Sequence, residues 1–366
     1  MSSKQEPMKS KVYFIRAQGD EGSEILSDKA EQVFLKMGIL EKIEPEAFVA
    51  LKIHFGEKGN TGYIKPPWLR GILTQLKGQT SRYFMTDSNT LYLGKRSNAL
   101  DHIHLAWQHG FRPENLEGAP VIIADGLIGT DGEEVKANLK KIKLAKIGSA
   151  IAHSDVLLCL NHLTGHLATG IGGAIKNMGM GCAARAGKLD QHAELHPRVS
   201  SKNCRNCGIC LDYCPPQAIF QGDGCVVIDD KKCIGCGECV AVCKSGAIKW
   251  RWDEDSFRIQ EKMAEYAAAV RQMFKGKAGF INFLIKITKD CDCLSKDQPS
   301  IVEDIGILAS SDPVAVDKAS VDLVLKRAGR DIFRAGYDID WSVQLRHGEQ
   351  VGLGRMEYDL IELAAR

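Results

Sequence analysis

The amino-acid sequence predicts an α/β fold in which helices cover both faces of a mainly parallel sheet and a cysteine-rich insert interrupts the domain. Two observations predict this fold. Up to residue 190, short apolar runs alternate with helical segments, and the same alternation resumes after residue 255. Between these parts, residues 198–252 contain nine of the 13 cysteines. We therefore expect a first part of the α/β domain at 12–197, the insert at 198–252 and a second part at 253–366.

The first part of the domain is expected to follow a short polar tail, residues 1–11, which we expect to be disordered. Its predicted strands are 12–15, 48–55, 83–86, 121–124 and 156–160. Its predicted helices are 28–37, 67–76 and 97–109. Ser27 is the expected N-cap of the first helix and Gly38 its end. Pro67 fits the first turn of the second helix, because that position needs no N–H donor.

The second part resumes with an amphipathic helix at 255–274. Its predicted strands are 281–287 and 305–309. A helix follows from Pro313, with Ser311 or Asp312 as its N-cap. Three consecutive domains are the alternative, but they would leave the part after residue 255 with few strands for a sheet of its own. One interrupted domain is the simpler prediction.

The overall charge gives no indication of a nucleic acid or an anionic membrane as partner, because 48 Lys and Arg residues balance 46 Asp and Glu residues. The N-terminal residues lack the apolar core of a signal peptide, so we expect a cytoplasmic protein. The uncharged run 156–175 has the length of a membrane span, but its Asn, His and Gly residues predict a buried strand and loop. In a reducing cytoplasm, 13 cysteines indicate metal ligands or redox chemistry rather than disulfides.

The cysteine-rich insert contains an internal repeat with a period of 29 residues. Each half carries four cysteines spaced C-x2-C-x2-C-x3-C: Cys204, Cys207, Cys210 and Cys214, then Cys233, Cys236, Cys239 and Cys243. Two-residue gaps let a tight loop direct three thiolates at one metal centre, and Gly208, Gly235 and Gly237 permit the unusual backbone angles of such a loop. A pair of zinc sites is the alternative, but zinc sites usually combine two C-x2-C pairs across a longer gap.

This repeat resembles the bacterial two-cluster ferredoxins, in which the fourth cysteine of each half ligates the cluster of the other half. The resemblance implies a ferredoxin-like α+β insert that binds two [4Fe–4S] clusters. One cluster would be held by Cys204, Cys207, Cys210 and Cys243, and the other by Cys233, Cys236, Cys239 and Cys214. Lys244 departs from the pattern, which commonly has proline there. Eight basic against five acidic residues between 198 and 251 predict docking of an acidic electron-transfer partner of the ferredoxin or flavodoxin type.

Three polar, glycine-containing stretches, 52–67, 86–98 and 161–188, follow predicted strands. Because ligands of open parallel sheets bind beyond the carboxyl ends of the strands, we expect these stretches to line one crevice. The candidate catalytic residues in them are His54, Lys58, His162, His166 and Lys176. A core position for the first histidine is the alternative, and the other two histidines would bind a metal only if they share a face. The glycines between 170 and 181 form either an anion-binding nest or a site of close packing.

A C-x-C pair outside the insert, Cys291 and Cys293, completes the set of candidates. In an extended segment, side chains two positions apart lie on the same side. Three interpretations stay open for this pair: thiolates at the active crevice, ligands of an additional metal, or buried structural residues.

Together, these stretches, the insert and the segment 291–324 resemble a family of uncharacterised iron–sulfur centre proteins, in which an α/β domain of unknown function carries a bacterial-type ferredoxin module. The resemblance covers residues 12–328 and implies the fold and the clusters, but no reaction. We expect an oxidoreductase that transfers single electrons through the clusters to a small substrate or cofactor in the α/β crevice. A non-catalytic electron carrier whose α/β domain docks a partner enzyme is the alternative. A flavin would suit the first hypothesis but has no signature in the sequence.

Overall fold

The computed structural model describes residues 9–92, 94–192, 197–234, 239, 242–243, 245–249 and 255–364. The predicted cluster ligand Cys236 lies outside these residues, as do Gly235, Gly237 and Lys244. The first strand begins at Ser10, so the polar tail is shorter than the expected 1–11.

The strands are β1 Ser10–Arg16, β2 Val49–Lys52, β3 Tyr83–Asp87, β4 Val121–Ile123, β5 Gly132–Lys136, β6 Leu144–Gly148, β7 Val156–His162, β8 Thr164–His166, β9 Gly170–Gly172, β10 Arg198–Val199, β11 Ile219–Gln221, β12 Val226–Ile228, β13 Ile248–Lys249, β14 Ala278–Leu284, β15 Gly306–Ser310 and β16 Tyr358–Glu362. The α-helices are α1 Ser23–Met37, α2 Arg70–Gln79, α3 Ala99–Gln108, α4 Ser149–Ala152, α5 Ala174–Gly179, α6 Arg185–His192, α7 Ile209–Asp212, α8 Asp255–Met273, α9 Pro313–Ala328, α10 Ile332–Tyr337 and α11 Val343–Gln350. Short 3-10 helices span Leu40–Lys42, Pro66–Leu69 and Pro113–Asn115.

The central sheet has eight strands in the order β16-β1-β15-β14-β7-β2-β3-β4. Strand β15 runs antiparallel to its two neighbours, and every other neighbouring pair is parallel. The sheet contains strands that precede the cysteine-rich segment in the sequence and strands that follow it. Strands β14, β15 and β16 follow the segment and pair with β7 and β1, which precede it. The predicted α/β class with a mainly parallel sheet is therefore confirmed, while the boundaries of the insert stay a prediction.

Helices cover both faces of this sheet, with a cluster of buried apolar side chains on each face. Helices α1, α2 and α3 pack on one face, and α5, α8 and α9 pack on the other. Strand β7 shows the reason, because its side chains alternate between the two clusters: Leu158 and Leu160 belong to the first, Leu157 and Cys159 to the second. A strand buried on both faces is apolar throughout, which explains why the run 156–160 contains no charged residue.

Helix α1 begins earlier than predicted. It starts at Ser23, so Ser27 lies inside the helix and the predicted N-cap was wrong. The Ser27 hydroxyl instead accepts a hydrogen bond of 2.8 Å from the backbone N–H of Gly71. The helix ends at Gly38 as expected, with a left-handed φ of 71° that glycine adopts without strain. Asp312 caps α9, as one of the two alternatives proposed, by accepting hydrogen bonds from Val314 and Ala315.

Three strand regions were missed by the sequence analysis: the β5–β6 hairpin, the β8–β9 hairpin and β16. The GEEVK sequence of β5 is largely exposed and carries three charged residues, so it lacks the apolar pattern of a strand. Strand β16 lies at the edge of the sheet, where only one neighbour, β1, supplies hydrogen bonds. Edge strands carry weaker sequence patterns than central strands.

The cysteine-rich segment folds with an internal pseudo-twofold arrangement. Strand β10 of the first half pairs antiparallel with β13 of the second, and β11 of the first half pairs with β12 of the second. Local contacts repeat after 29 residues as well. The backbone N–H of Ala218 donates to the Cys214 sulfur and that of Ala247 to the Cys243 sulfur, each at 3.2 Å. In the described residues, the two halves therefore repeat this backbone-to-sulfur contact and depend on each other for strand pairing.

None of the helices in the described parts of the chain has the length and apolar character that a membrane crossing requires.

Close packing between α5 and α8 gives a first testable prediction. A Cβ added at Gly179 would clash with the backbone oxygen of Met263, so Gly179→Ala is expected to lower the free energy of unfolding by about 1–3 kcal/mol. Gly78, inside α2, has open space around the added Cβ, so Gly78→Ala is expected to raise it by about 0.5–1 kcal/mol. Denaturant unfolding of both variants measures the difference. Equal effects of the two substitutions would contradict the packing described.

Candidate functional site

A cavity of about 560 Å³ lies at the carboxyl ends of β2, β3 and β7. All three predicted stretches, 52–67, 86–98 and 161–188, contribute to its wall, together with residues 291–296 from the loop that follows β14. Two side chains of the cysteine-rich segment, Tyr213 and Val242, also line it. The cavity therefore lies between the α/β domain and the cysteine-rich segment.

Four buried charged side chains form an ion-pair network on one side of the cavity. Lys52, at the end of β2, lies 2.9 Å from Asp87, at the end of β3. Arg96 lies 3.3 Å from Asp87 and 3.2 Å from Glu57. Burial alone would raise the pKa of Asp87, but Lys52 and the neighbouring His102 outweigh it and hold that pKa well below its usual value. These charged residues were not among the predicted candidates, although a Lys and an Asp ending apolar strands were the available signal.

A chain of buried hydrogen bonds extends from Lys52 to helix α9, along the face of the sheet that α5 and α9 cover. Lys52 donates to the Asn177 side chain at 2.7 Å, Asn177 donates to Asn161 at 2.8 Å, and Asn161 donates to Asn282 at 2.9 Å. Asn282 donates to Asp317 of α9 at 2.8 Å. The side-chain amides of Asn177, Asn161 and Asn282 therefore hold Lys52 in position, and Asp87 is the carboxylate that pairs with it.

His54 lines the cavity as predicted. Its Nδ1 accepts a hydrogen bond of 3.0 Å from the backbone N–H of Gly56, so the ring proton lies on Nε2. That Nε2 is buried and has no hydrogen-bond partner among the described residues. Burial, and then the nearby charge of Arg96, lower the pKa of His54 well below its usual value. His54 is thus a neutral ring with one unused N–H donor.

His162 does not form a metal-binding pair with His166. Its Nδ1 lies 2.8 Å from the Asp292 carboxylate and its Nε2 lies 2.9 Å from the backbone oxygen of Ile285. Both partners are acceptors, so both ring nitrogens carry protons. Burial opposes this charge, but Asp292 outweighs it and raises the pKa of His162. The ring is a cation that connects β7 to the loop after β14, and both of its nitrogens have acceptor partners, so the less favoured alternative of a metal pair gains no support.

Lysines make the remaining wall positive. Lys176 and Lys188 line the cavity, and burial lowers the pKa of each to about 8. Neither has a carboxylate within 4.0 Å among the residues that the structure describes. Lys188 donates instead to the Ser88 hydroxyl and to the backbone oxygen of Ala183. Lys58, the other predicted lysine, is exposed and is not part of the cavity wall.

The glycine-rich stretch serves close packing rather than an open anion nest. The N-terminal N–H groups of α5, at Ala174 and Ile175, donate to the Asp317 carboxylate at 2.7 and 2.9 Å. A carboxylate already occupies the position that an anion would need. At Gly181, an added Cβ would lie 2.6 Å from the Lys52 ammonium nitrogen, so this glycine allows the lysine to approach.

Cys291 and Cys293 are joined by a disulfide in the cavity wall. A ring nitrogen of His166 lies within 4.8 Å of both sulfurs. Lys176 Nζ lies 3.9 Å from the Cys291 sulfur, and the backbone N–H of Cys293 donates to the same sulfur at 3.4 Å. The structure thus brings together four candidates that are separated by up to 127 positions in the sequence: His166, Lys176, Cys291 and Cys293.

Five described cysteines of the insert, Cys204, Cys210, Cys214, Cys239 and Cys243, belong to a small apolar cluster with Ile219, Val226 and Ile248. Burial raises the pKa of Cys210, and the neighbouring thiols of Cys243, Cys207 and Cys204 raise it further. Cys243, from the second half, is therefore close to Cys210 of the first half, as are Cys204 and Cys207. Gly208, between two of them, has a left-handed φ of 77°, as the spacing predicted.

Comparison with solved structures shows only distant similarity. One match is a crystal structure of a Thermotoga maritima protein, with 8% identity and a TM-score of 0.43 over 84% of this chain and 59% of that chain. Another is a lactate racemase apoprotein from Thermoanaerobacterium thermosaccharolyticum, with 11% identity and a TM-score of 0.40 over 84% of this chain and 55% of that chain. This chain thus spans less than two thirds of either solved chain.

No curated protein matches the sequence. A family model described as "Domain of unknown function (DUF362)" matches residues 49–322, which is more than half of the chain and includes the cavity-lining loops and the cysteine-rich segment. The chain therefore belongs to the DUF362 family.

Proposed function

We propose that this protein is an iron–sulfur oxidoreductase in which two [4Fe–4S] clusters, bound by the insert, pass single electrons to a small anionic substrate or cofactor in the cavity. One observation carries the proposal: the same cavity is lined by the α/β loops and by Tyr213 and Val242 of the cysteine-rich segment. A ligand bound there would lie next to the segment that supplies the electrons. The clusters would supply one-electron chemistry at low potential.

The cysteine-rich segment fits two cubane clusters. The proximity of Cys243, Cys204 and Cys207 to Cys210 supports the crossed ligand set that the ferredoxin resemblance implies. Backbone N–H groups donate to the sulfurs of Cys204, Cys214 and Cys243, and such donors stabilise thiolate ligands. The second set would be Cys233, Cys236, Cys239 and Cys214.

An anionic ligand is favoured by the charges of the cavity wall. Lys176 and Lys188 have no carboxylate partner in the described parts of the chain, whereas Lys52, Arg96 and His162 are paired with carboxylates. Among the described residues, Lys188 has only the more distant Asp125 and Asp87 near it, and Lys176 only Asp292 and Asp87. Cations without a close counterion in a low-dielectric cavity attract an anion. The unused N–H of His54 would donate a hydrogen bond to the same ligand.

Docking of an acidic donor of the ferredoxin or flavodoxin type is supported by exposed basic residues of the segment: Arg198, Lys202, Arg205, Lys231, Lys232 and Lys249. Such a surface attracts an acidic partner over long range, so reduction by that partner is expected to slow as ionic strength rises.

The cluster content gives the direct test. Protein purified without oxygen is expected to contain about eight irons and about eight sulfides per chain. Cys243→Ser removes a ligand of the first cluster and is expected to lower both contents to about half. Cys225→Ser, in the same segment but outside the repeat, is the matched control and is expected to retain the full content. Zinc in place of iron, or equal losses in both variants, would contradict the proposal.

The cavity gives a second test, which separates an enzyme from an electron carrier. Reduced protein is mixed anaerobically with a small-molecule extract, and the recovery of visible absorbance reports reoxidation. His54→Gln is expected to slow reoxidation about tenfold, the effect of one lost hydrogen bond to a charged ligand. Lys58→Ala, at an exposed site outside the cavity, is the control. No reoxidation by any extract, with rapid reoxidation by an acceptor protein, would favour the non-catalytic carrier. Organic extraction of the purified protein would reveal a bound flavin.

A further inference from the structure

The disulfide between Cys291 and Cys293 has a specific position in the cavity. Both sulfurs belong to residues of the cavity wall. Close to them lie His166 of β8 and Lys176 of α5. Cys291 is 7% exposed, while Cys293 is partly exposed to the cavity. A disulfide that only braced the fold would not need an ammonium group and an imidazole beside its sulfurs.

The two sulfurs have different surroundings. Lys176 Nζ and the backbone N–H of Cys293 both lie within hydrogen-bonding distance of the Cys291 sulfur, at 3.9 and 3.4 Å. Two donors, one of them cationic, stabilise a thiolate more than a thiol. Reduction would therefore leave Cys291 as the thiolate and Cys293 as the more accessible thiol.

A metal held by His166 and the two cysteines is the competing interpretation. His166 Nδ1 accepts hydrogen bonds of 3.2 Å from the backbone N–H groups of Ala168 and Thr169, so the single proton of the neutral ring lies on Nε2. A metal-binding histidine has the opposite arrangement, with one nitrogen donating a proton to an acceptor and the other free for the metal. His166 is thus built as an N–H donor near the sulfurs.

We propose that Cys291 and Cys293 form a redox-active disulfide that collects the two electrons of one catalytic cycle, one from each [4Fe–4S] cluster. This inference rests on the proposed function. The S–S bond breaks, and the two sulfurs take up two electrons and two protons, or one proton where Cys291 stays a thiolate beside Lys176. Both clusters are thereby oxidised, and two molecules of a one-electron donor of the ferredoxin class reduce them again. The cysteine pair thus stores two electrons that arrive singly, and the resulting dithiol is a two-electron reductant in the wall of the ligand cavity.

Alkylation of the two cysteines tests the proposal on the intact protein. Trypsin releases residues 290–296, DCDCLSK, which contain both cysteines and no other. Protein as purified is expected to give this peptide as a disulfide. After reduction of the clusters by a reduced ferredoxin, the doubly alkylated peptide is expected to increase at least about fivefold, well beyond the scatter of such labelling. In Cys243→Ser that increase should disappear, while a phosphine reductant should still open the disulfide in both proteins.

Each outcome has one meaning. Bleaching of the clusters with the peptide still oxidised overturns this inference and leaves the proposed function standing. A peptide that is alkylated before any reduction shows that no disulfide exists and also overturns the inference. A protein without iron and sulfide overturns the proposed function itself.

The role of Lys176 has its own readout. In reduced protein, the pH profile of Cys291 alkylation is expected to move upward by about one to two pH units in Lys176→Met, because the nearby cation is lost. Lys176→Arg keeps the charge and should restore most of the profile. A purely structural role for Lys176 would leave the profile of a folded variant unchanged, which would contradict the thiolate assignment.

Discussion

Replacing Asp87 with alanine is expected to lower the free energy of unfolding by about 3–5 kcal/mol, the cost of leaving a buried charge without its partner. Asp87 accepts contacts from Lys52 at 2.9 Å and from Arg96 at 3.3 Å, and all three side chains are less than 5% exposed. Removing the carboxylate leaves two cations in a low-dielectric site, with Glu57 as the nearest compensation for Arg96. Thermal and denaturant unfolding of the protein as purified measure the loss.

Asp359→Ala is the matched control. Asp359 is 60% exposed, and its contact with Lys9 at 3.8 Å is surrounded by water. Exposed pairs of this kind contribute little, so this variant is expected to unfold like the unmodified protein. Asp87→Asn, which keeps the side-chain volume, should resemble Asp87→Ala. If either Asp87 variant unfolded like the control, the described ion-pair network would be refuted.

A steep loss of stability below about pH 6 is the second large effect. Burial lowers the pKa of His54 and His166 well below the usual value, and lowers that of His102 to about 3. A histidine whose pKa is lower in the folded state binds protons preferentially when unfolded, so acid below about pH 6.5 favours unfolding. Asp317 has the opposite sign, because burial raises its pKa to about 6, and its protonation favours the folded state as pH falls from 6 toward 4.

These opposing groups determine how steeply the free energy of unfolding changes with pH. Each contributes about 1.4 kcal/mol per pH unit within its window, so these three losses against one gain leave at least about 3 kcal/mol per pH unit below about pH 6, and His109, whose pKa burial also lowers, acts in the same direction. His162 adds no slope there, because its raised pKa keeps it protonated. His102→Gln should lower the slope by about 1.4 kcal/mol per pH unit. His153→Gln, at a side chain that is 68% exposed, should not. A flat profile between about pH 7 and 5 would show that these histidines are not buried as neutral rings.

The sheet and its helices could be predicted because apolar alternation is local information. Strands β2, β3 and β7 each have an apolar pattern that can be recognised without the rest of the chain. Each is followed by a polar loop, and in a parallel sheet such loops meet at the carboxyl ends of the strands. That rule located His54, Lys176 and the cavity correctly. It also suggested Lys58, which lies in the same loop but faces solvent. A loop sequence gives no information on which side chains turn inward.

Pairings between distant segments could not be predicted from one sequence. His162 pairs with Asp292 across 130 positions, and Lys176 contacts Cys291 across 115 positions. The spacing of His162 and His166 left a metal pair open only as an alternative, and it gave no indication of Asp292, the partner of His162, which comes close only in the folded chain. The expectation that cysteines would not form disulfides was likewise wrong for one pair, because it rested on composition rather than on position.

The position of β1 in the sheet affects how the chain can be synthesised. Its two neighbours are β15 and β16, and the Ser310 hydroxyl donates to Lys11 across 299 positions. Strand β1 leaves the ribosome long before β15 and β16 and must therefore wait for them. The insert, whose strands pair only with each other, is finished much earlier. The proposed clusters would then be loaded onto a nascent chain whose main sheet is still open, and that open sheet exposes unpaired strand edges that require protection from aggregation.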